Sequence, residues 1–89
     1  MVTTILTHEV KNFDEWKKGF DSHETVRQQA GVKINGVYSS VDNGNHVTII
    51  AEFPSVESVK GFMASPDLKD SMEKFGVIGA PEAKILNKF

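Results

Sequence analysis

Eighty-nine residues with 10 Lys+Arg, 12 Asp+Glu, 39% hydrophobic residues and no cysteine describe one domain, residues 1–89, with no room for a second. A formal charge of −2 without any run of like charges offers no grip on a nucleic-acid backbone or an anionic membrane, and the lack of thiols excludes disulfides, thiolate metal sites and a cysteine nucleophile. The longest apolar run, Val47-Thr48-Ile49-Ile50-Ala51, is too short to span a bilayer and Met1-Val2-Thr3-Thr4 lacks a basic leader, so a cytoplasmic protein is expected.

Val2 to Val10 is dense in β-branched residues and predicts a first strand. Asn12 followed by Glu15 has the spacing of a capping box, and Phe13, Trp16, Phe20, His23 and Arg27 then fall on one face of a single long helix that stops at Gly31. Lys33 to Asp42 and His46 to Phe53 predict a hairpin around Asp42-Asn43-Gly44-Asn45. Ser55 can cap a helix running to Ser65, and Pro66 restarts a helical turn whose apolar face is Leu68, Met72 and Phe75. Gly79-Ala80-Pro81 reads as a linker, and Glu82 to Phe89 as a fourth strand.

The resulting order is βαββαβ with the second helix broken at Pro66, an α+β ferredoxin-like arrangement whose right-handed crossovers give an antiparallel four-stranded sheet of order 4-1-3-2. Every strand carries two adjacent apolar residues near its middle: Ile5/Leu6, Val37/Tyr38, Ile49/Ile50 and Ile85/Leu86. Neighbours along a strand point to opposite faces, and two helical layers can cover only one of them. A second copy of the sheet is the expected cover, giving a homodimer through the sheet face, a dimeric α+β barrel.

Thr7-His8-Glu9-Val10-Lys11-Asn12-Phe13-Asp14-Glu15-Trp16-Lys17, with Phe20-Asp21, Arg27, Gly31-Val32, Val37-Tyr38 and Ser65-Pro66-Asp67-Leu68-Lys69, resembles the small dimeric α+β-barrel proteins, and within them a bacterial group of unknown function sometimes labelled cyclases. The resemblance spans essentially the whole chain. That superfamily includes cofactor-free antibiotic-biosynthesis monooxygenases, isomerases, haem-degrading enzymes and stress-responsive proteins, so it implies a fold and a pocket between helices and sheet more than one reaction. The Asn, Trp and His set of the haem-degrading members does not map onto Asn12 and Trp16, and no cofactor is expected.

His8 belongs to the more apolar, even-numbered set of the first strand, which directs it toward the helices and Trp16. There a neutral imidazole serves as acid or base, or hydrogen-bonds a substrate carbonyl; the competing role is a structural histidine satisfied by a backbone carbonyl. His23 sits where a core helix would carry Leu or Met, and Arg27 follows one turn later. Together they suit an anionic or carbonyl-bearing ligand, or else mark the domain rim. Trp16 and Phe20 are core or pocket wall, and Tyr38 reaches either the pocket or the dimer seam according to strand register. His46 reads as a solvated hairpin residue. The three histidines lack any metal-ligand spacing, so no metal site is predicted. Two functions follow: a cofactor-independent enzyme of monooxygenase, isomerase or cyclase type acting on a small hydrophobic carbonyl-bearing or aromatic molecule through His8 and His23, or a non-catalytic dimeric module that holds such a ligand.

Overall fold

Strand β1 (Val2–Val10) lies at the middle of the computed structural model, which describes residues 2–89 apart from the side chains of Asp67, Leu68 and Ala80. It pairs antiparallel with β3 (His46–Phe53) on one side and β4 (Val77–Asn87) on the other, and β2 (Lys33–Ser39) closes the far edge against β3. The order β2-β3-β1-β4 is the expected 4-1-3-2 read from the other edge. Helices α1 (Phe13–Ser22), α2 (Glu24–Gln29), α3 (Val56–Met63) and α4 (Pro66–Lys74) supply the two βαβ crossovers. This is a ferredoxin-like α+β fold, and no helix among the described residues is long and apolar enough to cross a membrane.

Local chemistry sets the starts of the helices. The Asn12 side chain accepts a hydrogen bond from the Glu15 amide at 3.1 Å, and Asp14 and Glu15 occupy the electropositive first turn. A second asparagine joins it: Asn45 Oδ1 accepts from the Phe13 amide at 3.0 Å, while its own carbonyl takes the Val10 amide at 2.8 Å. The β2–β3 hairpin is thereby tied to the entry of α1. Ser55 caps α3 through the Ser58 amide, and Pro66 opens α4, where its missing N–H costs nothing. The first of these helices ends at Met63, two residues before the expected stop, and Leu68 of the predicted α4 face has its side chain outside the described residues.

The expected long helix after Asn12 is two helices. Ser22 Oγ donates to the Gly19 carbonyl at 2.6 Å and the His23 amide turns back to the Phe20 carbonyl at 3.2 Å, tightening the chain at His23 before α2 begins. The linker expected at 79–81 is also revised. These residues belong to β4, where the pairing with β1 jumps from Ile78↔Glu9 to Glu82↔Thr7. Gly79, at φ +72°, and Pro81, without an amide hydrogen, bend the strand there and leave His8 without a partner on β4.

Two core clusters form under the helices. Val10, Trp16, Val47 and Ile49 lie beneath α1, and Val32, Ala51, Phe53 and Val59 lie beneath α3. Gly19 permits the first to close, since a Cβ there would run into the Phe75 ring at the end of α4. Gly19→Ala is accordingly expected to destabilise the fold by about 1–2 kcal/mol, overpacking outweighing the gain of roughly 1 kcal/mol in helix propensity. Urea unfolding checks this, and an unchanged or raised midpoint would contradict the contact.

Candidate functional site

Between the two clusters the helices do not close on the sheet. A cleft of about 580 Å³ remains, of the size that takes a small organic molecule. Its floor is the helix-facing side of the sheet, with Leu6, Ile49 and Ala51 at the centre; Phe62 and Met63 of α3 and Phe75 after α4 wall the far side. Ala51 and Ala83 are small residues on that floor, which gives the cleft depth where a Leu or Phe would fill it.

The strand alternation places His8 here as expected. The residue is 4% exposed and lines the cleft, and its ring meets Trp16 edge-on with centroids 5.3 Å apart. Trp16 in turn stacks on Phe20 at 5.0 Å, and the Arg27 guanidinium carbon lies 3.8 Å above the Phe20 ring. His8, Trp16, Phe20 and Arg27 thus form one continuous row along the α1 wall, with His23 beside it, edge-on to Phe75 at 5.3 Å and half-buried.

The row exists because of the break at His23. In an unbroken helix the Phe20 carbonyl would serve residue 24; here it receives the His23 amide and, at 2.7 Å, Nη1 of Arg27. The sequence periodicity identifies the residues of this face, but only the freed carbonyl explains why Arg27 folds inward instead of reaching solvent. It is 9% exposed.

Burial governs the protonation of both basic groups. Desolvation, and secondarily the charge of His46, lowers the pKa of His8 below its ordinary value. Its Nδ1 is sealed without a hydrogen-bond partner, so the backbone carbonyl that a purely structural histidine requires is missing at that atom. Desolvation also lowers the pKa of Arg27, partly offset by Glu24 and Asp21; an arginine nevertheless keeps its charge at neutral pH.

Tyr38, included among the expected ligand contacts, is not brought to the cleft. Its register opposite Thr48 puts it on the sheet face away from the helices, 54% exposed. His46 is exposed opposite Glu9 on that same face. Among the described residues no group of three or more His, Asp or Glu side chains gathers where it could hold a metal ion. Asn45 and the β4 bulge beside His8 shape the site without a distinctive sequence signal, since Gly79-Ala80-Pro81 fits a linker equally well.

Residues 1–82 match the family described as Domain of unknown function (DUF3764). No curated protein matches the chain. Among solved structures the chain is similar to a protein of Bordetella bronchiseptica named provisionally as an antibiotic biosynthesis monooxygenase, at 15% identity and TM-score 0.77 over 99% of this chain and 96% of that one. A protein of Nitrosomonas europaea named in the same way gives 14% identity and TM-score 0.73 over 99% and 98%. A protein of Agrobacterium tumefaciens gives 23% identity and TM-score 0.68 over 98% and 92%. At these identities the likeness is one of fold, the ferredoxin-like fold of the antibiotic biosynthesis monooxygenase domain, and it lends no support to a cyclase label.

Proposed function

The chain belongs to the DUF3764 family, and from that premise we propose that it is a small cofactor-independent enzyme whose cleft binds a hydrophobic carbonyl-bearing or aromatic molecule. The observation that carries this reading is the open cleft between the two cores with the buried, neutral His8 in its wall. A domain of this size needs burial for stability, so leaving about 580 Å³ unfilled between sheet and helices has a cost that ligand binding offsets.

Monooxygenase, isomerase and cyclase reactions on such substrates share a first step, removal of a proton from the carbon next to a carbonyl. The C–H bond breaks, the proton passes to a base, and the electron pair delocalises onto the carbonyl oxygen as an enolate. The fate of that enolate then separates the three types. A proton on Nδ1 of His8 would be stranded, because that atom has no acceptor. The neutral ring therefore carries its proton on Nε2 and meets the ligand as a hydrogen-bond donor, placed to stabilise the oxygen as charge develops. His23, half-buried in the same cleft, is the candidate base. Trp16 and Phe20 supply flat apolar wall for the body of the ligand.

The expected homodimer belongs to the same reading. Ile5, Ile50 and Leu86 share the sheet face opposite the helices with Tyr38, by the register of β1 with β3 and β4, and Tyr38 and Leu86 are well exposed in the single chain. A second sheet over this face buries them and leaves both clefts accessible on the outer sides.

The experiment is deuterium exchange at the α-carbon of a panel of aromatic ketones such as 2-tetralone, followed by proton NMR with and without the protein. Exchange accelerated by the protein and lost in His23→Gln is the expected result. Tight binding without acceleration would assign the cleft to a carrier role, and no binding at all would reject the cleft as the functional site.

A further inference from the structure

Arg27 is a buried cation whose charge Glu24 and Asp21 offset only in part. Among the described residues no carboxylate forms an ion pair with it; Asp21, one of its two acidic neighbours, is taken by Lys17 at 2.6 Å. Of its N–H groups the chain engages Nη1 alone, through the Phe20 carbonyl, and Nε is sealed with no acceptor. The Phe20 ring below it contributes a quadrupole but no countercharge. An arginine only 9% exposed is normally found paired, commonly with a carboxylate in a bidentate fork. Here the fork is held at one corner, at the end of the aromatic row, in the wall of a cleft whose other lining is mainly carbon, with Asp70 its one acidic residue among the described residues.

We infer that the ligand of the cleft is an amphipathic acid, its apolar or carbonyl-bearing body lying along Trp16 and Phe20 and its carboxylate held by Arg27. The inference rests on the cleft being a ligand site and adds the charge of the ligand to it. Nη2 has no partner in the chain among the described residues and is the nitrogen that meets the acid; His23, one helical turn earlier in the same wall, is the neighbouring polar group. The arrangement sorts ligands by charge in a simple way. A neutral molecule of the same shape fills the same space but leaves the guanidinium desolvated and unpaired, whereas the acid neutralises it as it enters. With His8 at the opposite end of the row, three ring spacings from the guanidinium, the preferred shape is an elongated keto or aryl acid whose reactive carbonyl is remote from its carboxylate.

Calorimetric titration of the protein with 1-naphthoate and with 1-naphthamide, equal in shape and different in charge, tests this. The acid is expected to bind at least tenfold more tightly at neutral pH, Arg27→Gln to bring the ratio of the two affinities near one, and Arg27→Lys to keep part of the preference. Equal binding of the two probes by the unmodified protein would overturn the inference and leave the cleft reading intact, and needs no variant to fold. A preference lost in Lys17→Gln or Lys33→Gln, which line the shallower pocket on the outer side of Arg27, and kept in Arg27→Gln would also overturn it. Binding of neither probe would reject the cleft as a ligand site and this inference with it.

Discussion

Replacing Ile50 by lysine is expected to abolish the proposed dimer while leaving the monomer folded. Ile50 faces away from the helices: it pairs with Ile5 on one side and with Gly36 on the other, whereas its neighbour Ile49 is buried in the α1 core and forms part of the cleft floor. In a single chain Ile50 is only partly buried, so a lysine there keeps its charge in water and costs the monomer little. In a two-fold interface each copy would bury one unpaired ammonium, at about 3–5 kcal/mol each. Since 1.4 kcal/mol is a factor of ten, dissociation should strengthen by on the order of 10² to several times 10³ even for one such charge. Light scattering at micromolar concentration, with circular dichroism on the same sample, reads both effects. Ile49→Lys is the control and should unfold the protein instead. A dimer that survives Ile50→Lys would place the interface elsewhere.

Which of two adjacent isoleucines faces away from the helices shows where sequence reading stops. The alternation in β1 orients His8 toward the helices without any structure, because Leu6 and Val10 fix the buried set and a period of two does the rest. The capping asparagine and the proline that opens α4 are legible for the same reason: each acts on its own neighbourhood in the chain. Features made by distant partners are not. Gly79 and Pro81 become a bulge instead of a linker only because β1 lies alongside and resumes its pairing at Thr7, and Tyr38 leaves the cleft because a second irregularity, between Ile34 and Gly36, resets β2 against β3. The break at His23 lies between these cases. Ser22 and Gly19 are local, but what makes the break consequential is the Arg27 side chain reaching back seven residues to a carbonyl that helical periodicity treats as already used. The cleft itself is a property of two separate buried clusters, with the partly buried Ile34 packed against both, and no single residue announces it.

His8→Ala and His8→Gln should separate chemistry from packing. If His8 acts by donating a hydrogen bond to a carbonyl, glutamine restores a donor on a side chain of similar reach, so His8→Gln should retain part of the exchange activity and His8→Ala lose it by 10² or more, the usual scale for one oxyanion donor. A base at this position would be lost equally in both. Stability gives an independent readout whose sign follows from burial. Folding holds the His8 pKa below its ordinary value of about 6.5, so between that value and the lowered one the unfolded chain binds a proton that the native chain does not. The contribution is fully present above about pH 6.5 and is lost progressively as pH falls toward the pKa of the folded state. Unmodified protein should therefore lose stability faster than His8→Gln on acidification below 6.5, and the two should run parallel above it. The same burial keeps the ring neutral, and so competent as a donor from Nε2 with Nδ1 bare, into mildly acidic solution, which puts the acid limb of any His8-dependent activity below 6.5. Parallel stability curves across the whole range would mean that His8 is solvated in the folded protein. A neutral donor held by the cleft wall would then no longer describe it, and the catalytic assignment would pass to His23 alone.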